Sequence, residues 1–88
     1  MARYLLECPH TQEDCIEALD SVVALSHSLM DRFDWGCNDE VHVGWVIIEA
    51  QDANTARMML PTNLRGKAKA IHLAKFSPEQ VKSFHEPH

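Results

Sequence analysis

Between a strand-like segment, Arg3 to Cys8 (RYLLEC), and a longer one, Val41 to Ala50 (VHVGWVIIEA), lies a stretch whose apolar residues recur with helical spacing. Ile16, Leu19, Val23, Met30 and Phe33 are three, four or seven positions apart, and Cys15, Val22 and Leu29 widen the stripe on one flank. At 100° per residue these side chains span an arc of about 140°. Glu13, Asp14, Glu17, Asp20, Ser21, Ser28, Asp31 and Arg32 occupy the other side. The pattern predicts a helix from about Gln12 to Arg32, with Thr11 as its N-cap. A helix with one apolar face must bury it, and the flanking strands are the surface on offer.

The remaining segments complete an alternating order. Pro9 stops the first strand. Asp34 to Cys37 and Val41 to Ala50 read as a hairpin around Asn38-Asp39-Glu40, residue types that tolerate tight loops. Asp52 is placed to cap a second helix in which Ala53, Ala56, Met59 and Leu60 share a face. Pro61 and Gly66 end it, with Leu64 still packing inward. Lys69 to Phe76 (KAIHLAKF) reads as the last strand. Ser77-Pro78-Glu79-Gln80 then combines an N-cap, a proline at the first helical position and a capping-box Gln. A short final helix should reach about His85 and fray over Glu86-Pro87-His88.

Strand, helix, hairpin, helix, strand is the order of an α+β domain, a ferredoxin-like βαββαβ plait. Its four-stranded antiparallel sheet carries two helices on one face, with strands one and three central and a short C-terminal helix appended. All 88 residues are expected to form this single domain. The order, together with WVIIEA, ARMMLP, LRGKA and KFSPEQV, resembles small uncharacterised plait domains of the dimeric α+β barrel superfamily. The resemblance implies paired sheets with ligand space beside them and transfers no catalytic residue.

Composition narrows the partners. Residues 1–56 hold eleven acids against two arginines, while residues 57–88 hold six bases against two acids, and the whole chain has a net charge of −5. Nucleic acid is a poor partner for such a chain, because phosphate neutralisation supplies most of that affinity. No glycine-rich phosphate loop is present, and no stretch approaches the roughly 18 apolar residues of a membrane span. The apolar run after Met1-Ala2-Arg3 stops at Glu7, unlike a signal peptide. Three cysteines, Cys8, Cys15 and Cys37, make no CxxC, and reduced thiols in a cytoplasmic protein are expected.

Strand periodicity separates two sheet faces. With Tyr4, Leu6, Val46, Ile48, Ile71 and Leu73 toward the helices, the other face carries Arg3, Leu5, Glu7, Val43, Trp45, Ile47, Glu49, Ala70, His72, Ala74 and Phe76. An apolar face of that kind marks an interface, and a homodimer through it is expected. A domain this short buries only about 60% of its unfolded surface and gains from pairing. Glu7, Trp45, Glu49 and His72 are the candidate ligand-binding residues there, since desolvated carboxyl and imidazole groups suit acid–base work. The simpler reading is that Glu7 and Glu49 lie near strand ends, pair with Arg3 or a lysine and stabilise the rim.

Other groups invite chemistry. Cys8 and His10 are candidate metal ligands, with Cys15 nearby and His85 and His88 at the end of the chain; thiolate and imidazole suit zinc, nickel or copper. Neither HExxH nor a paired CxxC is present, and Cys15 also reads as a small buried residue. Cys8 with His10 is sterically permissive for a nucleophile and base, although no oxyanion device accompanies it. Arg57, Arg65, Lys67 and Lys69 surround the end of the second helix as an anion site or a solvated face. Gly44 inside a strand marks a bulge or a close approach. The leading expectation is a small cytoplasmic homodimer binding a small molecule beside the sheet, as binding module or enzyme. The alternatives are a transition-metal-binding domain using Cys and His, or a structural and interaction subunit.

Overall fold

The computed structural model describes residues 1–86; Pro87 and His88, and with them one candidate ligand, lie outside the described residues. Four strands form one antiparallel sheet: β1 (Ala2–Pro9), β2 (Asp34–Trp35), β3 (Val43–Ala50) and β4 (Lys69–His72), in the order β2-β3-β1-β4. Strands one and three are therefore central, as the order of elements requires. Their ladder runs from Ala2 opposite Ala50 to Pro9 opposite Val43. Leu6 faces Val46 and Tyr4 faces Ile48, so these side chains share one side of the pleat.

That side is covered by helices. α1 spans Cys15–Leu25, α2 His27–Arg32, α3 Ala53–Met58 and α4 Thr62–Arg65. Leu6, Cys8, Val46, Ile48 and Ala50 of the sheet meet Ala18, Val22, Leu29, Ala56, Leu60 and Leu64, all buried. Each large side chain fully buried here contributes about 1.5–3 kcal/mol. Asp52 caps α3 as expected, its carboxylate accepting from the Thr55 N–H at 2.7 Å. Leu64 does pack inward.

The single long helix does not form. Ser26 is extended (φ −167°, ψ 124°), ending α1 and capping α2 through a hydroxyl that accepts from the Leu29 N–H at 3.2 Å. A serine at an N-cap competes with helix continuation by offering its own acceptor. The elbow re-phases the stripe: Ala18, Val22 and Leu29 are buried, whereas Ile16 and Val23 are 67% and 38% exposed. The hairpin is also shorter than expected. β2 has two residues, and Cys37–Asp39 form a 3-10 turn closed by Glu40 in the left-handed region (φ 62°).

The last strand departs most. It stops at His72, and the Leu73 N–H, donating to the Arg3 carbonyl at 2.9 Å, is its final tie to the sheet. Tyr4 pairs with His72 and Leu6 with Ala70, so Ala70 and His72 lie on the helix side and Ile71 on the other, the reverse of the expected alternation. In a ladder of period two, a shift of one residue flips every side chain. Ala74 and Phe76 fall beyond the strand and belong to neither face. The final helix α5 (Pro78–Phe84) forms with its capping box intact: Ser77 accepts from the Gln80 N–H and Gln80 from the Ser77 N–H.

Candidate metal centre

One end of the central ladder gathers four side chains from segments far apart in sequence. Past Pro9 and Val43 the register continues by one backbone bond, the His10 N–H donating to the His42 carbonyl at 3.0 Å. Alternation puts both imidazoles on the helix side, following Cys8 and Gly44, with ring centroids 5.7 Å apart. The Thr11–Cys15 turn brings the chain back over them. Its Asp14 N–H donates to the Thr11 carbonyl at 3.1 Å, leaving Cys15 as the first residue of α1.

Cys37 arrives from the other side, at the start of the 3-10 turn. Gly36 permits this approach: a Cβ there would meet the Val41 carbonyl oxygen at 2.7 Å. The Gly36 N–H and carbonyl bond the Val43 carbonyl and the Val41 N–H, both at 3.0 Å, folding the loop so that Cys37 and His42 converge. Gly44 does comparable work beneath. A Cβ would meet the Trp35 ring at 2.7 Å, so the close approach read from the sequence belongs to the chain's own indole. Trp35 stacks on Phe33 at 4.9 Å and turns toward His10 at 6.0 Å, walling the site on its core side.

The result is a set of two thiols and two imidazoles. The Cys15 thiol donates to the Cys37 sulfur at 3.2 Å, and Nε2 of His10 lies 3.3 Å from that same sulfur. One ligand atom from each of His10, Cys15, Cys37 and His42 falls within 4.8 Å of all the others, and all four residues are half-buried. Zinc–sulfur and zinc–nitrogen bonds of standard length imply tetrahedral edges of about 3.3–3.8 Å, so closing on an ion needs no edge to shorten by more than about 1.5 Å.

Two further observations fit a cation. Nδ1 of His10 and Nδ1 of His42 are buried and find no hydrogen-bond partner among the described residues. Such an orphaned group costs about 1–3 kcal/mol, which an ion coordinated through that nitrogen would offset. Burial, with the adjacent Cys15 thiol, raises the Cys37 pKa above the ordinary cysteine value. Two thiols packed together without a counter-charge resist ionising; a divalent cation reverses that and binds both as thiolates.

The sequence candidates divide. His10 belongs to this cluster and Cys8 does not. Cys8 is wholly buried in the core, and burial pushes its thiol up to about 11, which leaves it a packed side chain and no nucleophile at neutral pH. Trp45 and Glu49 line a shallow depression of about 390 Å³ on the open sheet face, with Arg3, Leu5, Arg32 and Asp34. Glu7 lines a neighbouring one of about 250 Å³ with Trp45, Val43 and Lys69. His72 stacks on Tyr4 at 5.2 Å on the opposite face, so Glu7, Trp45, Glu49 and His72 do not converge. Nor do the basic residues: Lys69 pairs with Glu7 across the ladder, and Arg65 donates to the Leu60 carbonyl at 2.9 Å.

Cys37 and His42 are the ligands that the sequence reading missed. A signal existed in the mirrored spacing, His10 to Cys15 and Cys37 to His42, each five positions apart. No protein-family model, curated protein or solved structure matches this chain.

Proposed function

We propose that this domain binds one transition-metal ion, zinc by the nature of its donors, through His10, Cys15, Cys37 and His42. The observation that carries the reading is the convergence of those four ligand atoms within 4.8 Å. Two sulfur and two nitrogen donors in a tetrahedral set suit zinc, and four protein ligands leave no open coordination position for a substrate. The ion then acts as a clamp, fastening the start of α1 and the 3-10 turn to the end of the β1–β3 ladder. A domain of this size is marginal on its apolar core alone, and a structural metal supplies the difference. Reduced cysteines are required, which favours a cytoplasmic setting. The strand order β2-β3-β1-β4, with helices over one face, supports reading the scaffold as a ferredoxin-like plait.

Native mass spectrometry after zinc addition tests the proposal, with one ion per chain expected. Cobalt substitution should give the visible bands of a tetrahedral site with thiolate-to-metal charge transfer. Cys15→Ser and Cys37→Ser should each abolish them. A chain that takes up no ion, or whose cobalt spectrum is unchanged in both variants, would overturn the assignment.

A further inference from the structure

The C-terminal arm, from Ala74 to Glu86, stands off the body. After Leu73 its backbone hydrogen bonds stay within the segment itself among the described residues. Every residue of α5 is exposed. The molecule measures 53 by 29 by 21 Å, and its radius of gyration is 16.0 Å, against about 12 Å for a compact domain of this length.

Yet the arm is ordered by its sequence. It has a complete capping box, and Phe76 meets the Phe84 ring at 5.7 Å. Phe76, Val81 and Phe84 nonetheless remain 62%, 44% and 65% exposed. A helix of seven residues is not stable alone in water, so this one needs a surface to lie on.

The matching surface is the uncovered side of the sheet. Leu5, Trp45, Ile47 and Ile71 lie on that side of the pleat, and Ile47 is 42% exposed. The depression beside Trp45 includes Arg3 and Glu49 and takes none of its lining from the arm. Its Arg3 and Glu49 end is the end of the sheet from which the arm departs, where Leu73 is tied to Arg3, and it runs from there toward Trp45.

We infer that the arm crosses to a second copy of this chain, seating Phe76, Val81 and Phe84 on the partner's open sheet face. A return to its own sheet would require reversal within Ala74-Lys75-Phe76, which contains no glycine, asparagine or proline. Two-fold exchange covers both arms and both sheet faces at once. With two phenylalanine rings per arm, these four patches bury on the order of 1,200–1,600 Å², the size of a stable interface. The depression is lined by both signs of charge, Arg3 and Arg32 with Asp34 and Glu49, so the apolar contact and not net charge seats the arm. The assembly is independent of the metal centre, which occupies the opposite face.

Sedimentation equilibrium of the full chain, zinc-loaded and reduced, tests this. A dimer is expected well below about 100 μM, the range in which weak pairing is detected. Phe76→Ser with Phe84→Ser should give a monomer that keeps its metal stoichiometry and its far-UV circular dichroism, apart from the small helical signal of α5. Ile47→Lys should also give a monomer, and mixing it with the arm variant should restore a heterodimer through one intact arm and sheet pair. A wild-type chain that stays monomeric throughout would overturn the inference, as would an arm variant that still dimerises. So would an Ile47→Lys chain as dimeric as the wild type, because the arm would then seat elsewhere.

Discussion

The two sides of the β1–β3 ladder are built from alternate residues of the same strands and end in opposite conditions. On one side Leu6, Cys8, Val46, Ile48 and Ala50 are buried under four helices, and the rows run out into His10 and His42. On the other side no helix lies over Leu5, Trp45 and Ile47, although the Arg32 side chain at the end of α2 donates to the Ile47 carbonyl, and Ile47 remains 42% exposed. The covered row carries no charged residue, whereas the open row interleaves Arg3, Glu7 and Glu49 with its apolar side chains. The supply of covering elements differs too, because both crossovers fall on the same side and leave nothing for the other. A strand pattern alone therefore tells how sticky a face is, and connectivity tells whether the chain covers it itself.

The sharpest way to break the comparison is to remove the ion that closes the helix-covered side. Chelation is expected to lower the unfolding free energy by about 4 kcal/mol relative to zinc at a thousandfold excess over its dissociation constant. Urea denaturation with and without chelator measures it. Affinity should also fall as the pH is lowered below neutrality, because protons compete for both thiolates and both imidazoles. An unchanged urea midpoint would mean that the covered side is stable on packing alone.

Next comes the packing itself. Leu6→Ala removes a wholly buried side chain and should cost about 2–5 kcal/mol, while Leu5→Ala, its neighbour on the open side, should cost less than half as much in the monomer. Equal costs would erase the distinction between the faces. A smaller loss, about 1–3 kcal/mol, is expected for Gly44→Ala, whose methyl group would be driven into the Trp35 ring. Because that ring walls the metal centre, the same substitution should weaken metal binding, which a competition titration would detect.

The mildest effect is confined to alkaline solution. The Cys8 thiol, ordinarily ionising near 9.0, is pushed up to about 11 by burial. Its folded pKa lies above its unfolded one, so its contribution is fully present below about pH 9 and is lost as pH rises through about 11. Cys8→Ala should flatten that decline in a stability profile recorded from pH 8 to 11. An identical decline in the variant would assign it to another group.

The periodicities of RYLLEC and VHVGWVIIEA made the central strands legible, as Ser77 to Gln80 did the final capped helix. Ser26 shows the limit. Its neighbours continue the helical rhythm, yet its hydroxyl caps a new helix and the rod breaks there; α1 buries Ala18 and Val22 and leaves Ile16 and Val23 exposed. The fourth strand shows another limit, since KAIHLAKF alternates in either phase, and pairing with Tyr4 and Leu6 selects one. His10 was legible as a ligand because it sits beside cysteines in sequence. Cys37 and His42 were not, because their approach depends on a register and a glycine loop that join residues 22 and 27 positions apart.

The pairing of Trp35 with Gly44 and of Asp34 with Trp45 places the chain's two indoles on adjacent rungs but on opposite sides of the sheet. Each side thus has its own fluorophore. Trp35, edge-on to His10 at 6.0 Å, stands beside a proposed metal ligand, so its emission is expected to change when an ion binds there. Trp45 lies in the groove where an arm from another copy would rest, and its emission will shift as water leaves. With Trp45→Phe or Trp35→Phe, the remaining indole reports one event without the other. The molecule therefore carries separate optical channels for what happens at its buried end and on its bare surface.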